Sequence, residues 1–278
     1  MSAGVRIAKW KEWLFFAFLC LSLVFTLFPF IWMLSTSFKS PGEIFTQTPT
    51  FIPVQPTLDN YRNLLQSANL GRSFMNSLVF ATGMTILSVL CNAMAAYGFA
   101  KLSFPGREKI FALLLLTMMV PGQVTMMPVF LILKTLGFLN SFVGLIIPGI
   151  ASVFGIFMLR QFMQAIPEEI LEAARIDGCS EYRIFFSIML PLCRPVLATL
   201  AIFSFIGAWN EFFWPLVIML REDMQTLPVA LANLNGQFNT DWGLLMAGSV
   251  LVVVPVILVF LLAQKHYIKG IAAGGVKG

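Results

Sequence analysis

Between Gln164 and Arg194 the sequence sets Glu168, Glu169, Glu172, Arg175, Asp177, Glu181 and Arg183 in a short run between two strongly apolar stretches. Charges so dense cannot rest in lipid, because a central Asp or Arg costs about 2.5–3.5 kcal/mol on insertion scales. They must stand outside the membrane, where carboxylates and guanidinium groups make directional charged bonds to a partner. A second set, Asn76, Asn92, Gln123, Asn210 and Glu211, lies inside or at the ends of apolar segments, where polar side chains are expensive and line passages. Neither set is a catalytic constellation. There is no clustered His, Asp or Ser group, and the single histidine, His266, borders the last apolar segment. Cys20, Cys91, Cys179 and Cys193 follow no metal or disulfide spacing. No Gly-x-x-x-x-Gly-Lys-Ser/Thr loop is present to cradle a nucleotide, and no acid–base pair sits mid-membrane to carry protons.

The elements that hold the charged run read as two short helices. Pro167 suits a first helical position, Glu168 and Glu169 suit the positive end of the macrodipole, and Gly178 supplies a left-handed stop. Ser180 caps a second helix expected to end just before Pro191. In the first helix Glu168, Glu172 and Arg175 share one stripe, while Ile166, Ile170, Ala173 and Ala174 share another. The expectation is a compact charged knob on a membrane surface.

The rest of the chain supplies that membrane domain. Of 278 residues, 58% are apolar and 11% charged, against roughly 25% charged in soluble domains. The spacing predicts an all-α, multi-pass transmembrane bundle of six spans at about 13–34, 74–99, 110–133, 142–162, 196–220 and 242–263, with the polar run 164–194 between the fourth and fifth. Bends are expected at Pro121–Gly122, Pro148–Gly149 and Pro255. Asp59–Asn60–Tyr61–Arg62 opens a short surface helix, and a glycine-rich tail ends the chain. The first apolar run is too long for a secretory signal. With both termini on the cytoplasmic side, 13 of the 18 basic residues fall inside and five (Lys39, Arg62, Arg72, Lys134, Arg221) outside, which fixes the orientation and makes 164–194 cytoplasmic. The net charge of +5 follows this asymmetry and carries no nucleic-acid reading.

The spelling of the polar run is more specific than its composition. Glu172–Ala173–Ala174, three residues, Gly178, nine residues, Ile188, one residue, Leu190–Pro191 resembles without departure the EAA signature of membrane subunits of ATP-binding-cassette importers. Shorter pieces extend the likeness: Asn60–Tyr61, Asn76–Ser77, Ala96 to Ala100, Phe104–Pro105–Gly106, Trp209–Asn210–Glu211 and Gly274 to Gly278 look like the sugar-importer, maltose-type branch. The resemblance implies a type I ABC importer permease fold in a bacterial or archaeal inner membrane. It implies an ATPase-coupling role for Glu172, Ala173, Ala174, Asp177, Gly178, Leu190 and Pro191. Asn76, Asn92, Gln123, Asn210 and Glu211 remain candidates for the translocation path, with interfacial placement the other reading of Trp209, Glu211 and Trp214. The implied partners are a second, homologous permease, two ATPase subunits and an extracytoplasmic sugar-binding protein reached through Gln225 to Asp241. No cofactor is expected on this chain, with ATP and Mg on the ATPases. A stand-alone carrier or channel with a merely structural loop is the alternative.

Overall fold

The computed structural model describes residues 9–46, 48–66, 69–234 and 241–275, with side chains between 11 and 262 of these. All regular structure among them is helical. In chain order the helices are α1 (Lys9–Ser37), α2 (Pro41–Ile44), α3 (Asp59–Gln66), α4 (Leu70–Lys101), α5 (Arg107–Leu116), α6 (Gly122–Thr135), α7 (Phe142–Ile146) and α8 (Val153–Gln164). There follow α9 (Glu169–Ile176), α10 (Glu181–Ile184), α11 (Leu190–Leu192), α12 (Arg194–Asn210), α13 (Phe213–Ile218), α14 (Leu227–Asn233) and α15 (Trp242–Gly275). Arg6, Lys277 and residues 235–240 of the Gln225–Asp241 loop lie outside the described residues.

Three helices are long and apolar enough to cross a membrane unaided, Lys11–Ser37, Leu70–Lys101 and Trp242–Leu262, and the count reaches six if each of three bent pairs is one crossing. The bends have local causes. The third apolar segment, expected as one kinked span, is two helices at 101°. Val120 is extended because a residue before proline is driven out of the α region, and Pro121 after it is extended as well. The fourth bends by 48° after the short turn Ile147–Gly149. Its second half restarts at Ser152, whose hydroxyl accepts the Gly155 N–H at 3.2 Å. The fifth ends at Asn210 and does not run to 220. Pro215 has no N–H for the carbonyl of Glu211, and its ring would strike that carbonyl in a continuous helix. The backbone opens there instead, with Glu211 at ψ 126°. The last helix runs through Pro255 and continues to Gly275 where a tail was expected.

The chain divides into two compact units. The first comprises residues up to 67 and 233–251. There Asn60 is buried and donates to the carbonyls of Ser37 and Lys39 at 2.9 and 2.8 Å. Tyr61 shares a 2.8 Å hydroxyl bond with Ser37. Gly243 is required opposite: a Cβ there would lie 2.6 Å from Asn60 Oδ1. Nearly the whole apolar surface of α1 between Trp13 and Leu34 is exposed, as expected of a helix surrounded by acyl chains.

The second unit, residues 68–232 and 252 onward, is organised on α4, which packs along α8 and α12. In lipid no water-driven burial holds helices together, so small residues and buried amides do it. Ala93 and Ala96 are fully buried on α4. Asn92 beside them receives the Ser152 N–H at 2.9 Å and donates to Ser88 at 2.8 Å. A Cβ on Gly155 would meet that amide at 2.9 Å and Leu200 at 3.0 Å, which is why glycine stands at the crossing. Arg160, also buried, forms two bonds of 2.7 and 2.8 Å to the Glu108 carboxylate and lies over the Phe111 ring.

Candidate functional site

The polar run folds as an elbow beneath α4. Its first helix begins at Glu169, two residues after Pro167, and stops at Gly178, which adopts φ +77°. Gly178 N–H donates to Arg175 O and Cys179 N–H to Ala174 O, both at 3.0 Å, so the left-handed residue closes the last carbonyls. Ser180 caps the next helix by accepting the Arg183 N–H at 3.4 Å. That helix does not end before Pro191. Residues Phe185–Met189 wind as a π-helix, with Leu190 N–H reaching Phe185 O, and the wider turn accommodates the prolyl ring. The chain then passes Pro191 to Leu192 and turns by 81° into α12.

Which face looks inward also differs from the expected stripe. Leu171 and Ala174 are buried against α4 and α8 residues together with Ile184, Phe185 and Met189, whereas Ile170, Ala173 and Ile176 face outward. A helix this short buries only the row one turn apart, and Leu171 and Ala174 are that row. Leu190 and Pro191 are half-buried, Leu190 packing against the same core.

The charges divide into two groups with separate uses. Arg175 binds Glu181 at 2.8 Å and Glu168 at 3.1 Å. Glu181 accepts the Tyr97 hydroxyl at 2.5 Å, and Glu168 accepts the Lys101 ammonium at 3.0 Å. Lys101 also donates to Ile166 O at 2.7 Å. Tyr97 and Lys101 are one turn apart on α4, so this network clamps both arms of the elbow to one face of that helix. The spacing of the charges alone does not reveal this clamp; a tyrosine and a lysine at i and i+4 near a span end is the local signal for it. Glu172, Ala173, Asp177 and Gly178 remain outside it, all exposed, and among the described residues neither Glu172 nor Asp177 has an ion-pair partner in the salt-bridge geometry.

The clamp carries a pH signature. The Arg175 guanidinium and then the Tyr97 hydroxyl bind charged Glu181, holding its pKa below the ordinary 4.5. For Glu168 burial pushes upward, but bonds from Lys101 and Arg175 outweigh it and leave a net lowering. A carboxylate lowered in the folded state contributes stability that is fully present above the unfolded value and is lost as pH falls through the folded one. The clamp's contribution to thermal stability is therefore expected to be full and independent of pH above about pH 6, and to be lost as pH falls below the ordinary carboxylate range. Glu181→Gln is expected to flatten that acid limb, measured as Tm against pH.

The candidates for a passage separate likewise. Asn76 donates to the carbonyls of Asp223 and Gln225, both at 3.0 Å, and Asn92 is spent on the α4–α8 crossing described above. Asn210 is exposed at the end of α12. Gln123 and Glu211 instead share a cavity of about 660 Å³, walled by Phe80, Phe154, Phe203 and Trp214. Glu211 Oε1 accepts the Trp214 backbone N–H at 3.2 Å, which caps α13 after the proline-enforced break.

Known proteins match this chain over most of its length. The family described as binding-protein-dependent transport system inner membrane component matches residues 88–272. The arabinooligosaccharides transport system permease protein AraQ of Halalkalibacterium halodurans is 38% identical over 275 residues, 98% of each chain. The diacetylchitobiose uptake system permease protein NgcG of Streptomyces coelicolor is 36% identical over 262 residues, 93% of this chain and 86% of that one. Among solved structures, a bacterial ABC transporter involved in the import of the acidic polysaccharide alginate superposes with a TM-score of 0.87 at 24% identity, over 95% of this chain and 99% of that one, and so shares the fold. An all-α chain of apolar helices and bent pairs, with a charged elbow between two of them, belongs to the binding-protein-dependent transport system inner membrane components, the permeases of ABC importers.

Proposed function

We propose that this chain is one of two homologous permease subunits of an ATP-driven, binding-protein-dependent importer of oligosaccharides. It forms half of the translocation path and receives its motion through the elbow. Relatives carrying arabinooligosaccharides and diacetylchitobiose support the substrate class. The thirteen-to-five division of basic residues supports cytoplasmic termini and a cytoplasmic elbow. Two ATPase subunits would hold the ATP and Mg, and an extracytoplasmic binding protein would deliver the sugar; this chain does no chemistry of its own.

The observation that carries the reading is the division of charges on the elbow. Glu168, Arg175 and Glu181 are consumed inward, so the elbow moves with α4 as one piece. Glu172 and Asp177 stand outward beside Ala173 and Ile176, an unpaired acidic and apolar face one short helix long. Such a face suits a cleft with a basic residue on its rim, small alanine allowing close approach. When ATP draws two ATPases together, the paired elbows follow and the spans open toward the binding protein; hydrolysis resets them. Within the path Gln123 and Glu211 meet the solute, while Asn76 and Asn92 hold the walls.

Glu172→Lys tests this. The substituted subunit is expected to fold and to pair with its homologue, since Glu172 touches nothing inward. It is expected to lose the co-purifying ATPase and to lower sugar uptake on the order of a hundredfold, the effect of replacing an attractive interfacial charge by a repulsive one. Retained ATPase association with normal uptake would remove the coupling assignment.

A further inference from the structure

We infer that Glu211 makes the cavity an electrostatic filter, selecting uncharged or cationic sugars and rejecting those that carry carboxylates. The inference rests on the proposed sugar path and names its substrate class more narrowly. Among the described residues lining the cavity, Glu211 is the only one with a formal charge, and no lysine or arginine is among them. The rest of the wall is aromatic and aliphatic, with Ser88, Thr125, Ser152, Ser204 and Gln123 as its neutral polar groups. Phe154 and Phe203 lie tilted at 57° to each other with ring centres 6.4 Å apart, and aromatic faces of this kind suit the C–H faces of sugars. A neutral sugar can lie against these rings and bond to the neutral polar groups without bringing a charge into the cavity.

A uronate would not. Its carboxylate would have to enter an apolar chamber already holding one negative group, with no cation on this wall to offset the repulsion. Coulomb energies between like charges there exceed those in water several-fold. Glu211 is fixed in this position by the backbone break before Pro215 and by its bond to Trp214 N–H, so it cannot swing away without uncapping α13. The charge is therefore a built part of the wall.

Gly207 offers a probe site. It lines the same cavity one helical turn before Glu211, and a Cβ placed on it meets no atom within 4 Å. Gly207→Cys in the assembled importer, reconstituted in lipid, can be titrated with cationic and anionic methanethiosulfonates of equal size, against the parent complex without that cysteine. The cationic reagent is expected to react about a hundredfold faster once the two intrinsic rates are divided out, because a unit charge about 6 Å away at a dielectric of about 40 speeds one reagent and slows the other by about tenfold each. Glu211→Gln is expected to bring the two rates within about twofold. Equal rates with Glu211 present, or a ratio that Glu211→Gln leaves unchanged, would overturn the inference. Uptake of a neutral oligosaccharide by the Gly207→Cys complex and its parent, run in parallel, reports on the sugar path itself. A charge-selective cavity in a parent that carries no sugar would sink the proposed function and leave the filter standing. Sugar uptake through a charge-blind cavity would do the reverse.

Discussion

Arg175→Met is expected to abolish most ATP-driven uptake while leaving the ATPase subunits bound. Methionine keeps much of the aliphatic length of arginine and lies within a helix, so α9 itself should persist. What disappears is the bond pair from one guanidinium to Glu168 and Glu181, at 3.1 and 2.8 Å. Bonds to charged groups are worth about 1.5–3 kcal/mol each when buried. About a third of the Arg175 side chain is exposed, so solvent screening reduces that figure, and the pair together is worth about 2 kcal/mol. A loss of that size raises the population of detached elbows about thirtyfold. The outward face with Glu172 and Ala173, proposed above to dock the ATPase, is untouched, so docking is expected to survive. The consequence is a subunit that binds its motor and does not follow it. Comparing uptake with ATP hydrolysis in the same proteoliposomes checks this: hydrolysis should continue while uptake falls at least tenfold, about 1.4 kcal/mol in effect. Tyr97→Phe removes a single bond from the same network and should fall between Arg175→Met and the parent. Normal uptake in Arg175→Met would show that force reaches α4 by another route.

How much of this could be read in the sequence depends on the range of the interaction involved. The elbow was legible because its signals are local. Gly178 takes the left-handed conformation, Ser180 caps, and the fixed spacing from Glu172 to Pro191 survives translation into structure. The apolar segments were legible for the same reason, since length and composition decide whether a helix can face lipid. The clamp was not, because Lys101 and Glu168 are 67 positions apart, as Tyr97 and Glu181 are 84, and no periodicity links them. Pro191 was read as a stop because an α-helix admits no internal proline cheaply. The π-helical turn before it supplied the exception, and nothing in Phe185 to Met189 announces that turn. Pro121 marks the bend but not its size: a proline sets where a helix is interrupted, while the 101° depends on where the two halves find neighbours. Asn76 and Asn92 show the same limit. A buried amide in an apolar helix signals an unmet hydrogen-bonding need. Whether a solute or the protein itself meets it is a question of tertiary structure, and here the protein does: backbone carbonyls at Asn76, and the Ser152 N–H with the Ser88 hydroxyl at Asn92.

Gly178→Pro is expected to reduce uptake to background and to strip the ATPase from the complex. Proline fixes φ near −65°, and residue 178 stands at +77°. The substitution also deletes the N–H that closes the Arg175 carbonyl, a bond of 3.0 Å. The chain would have to leave α9 in a different direction, carrying Ser180 and Glu181 away from their positions. Arg175 would then lose Glu181, and Glu181 would lose Tyr97, so a corner residue outside the clamp would dismantle it. Gly178→Ala separates geometry from crowding. No atom lies within 4 Å of the added Cβ, so the only cost is the left-handed conformation of an L-residue, about 1–2 kcal/mol. That variant should keep measurable, reduced uptake and bound ATPase. If proline and alanine behaved alike, the corner would not be transmitting force, because only proline changes the angle at which the two arms of the elbow meet.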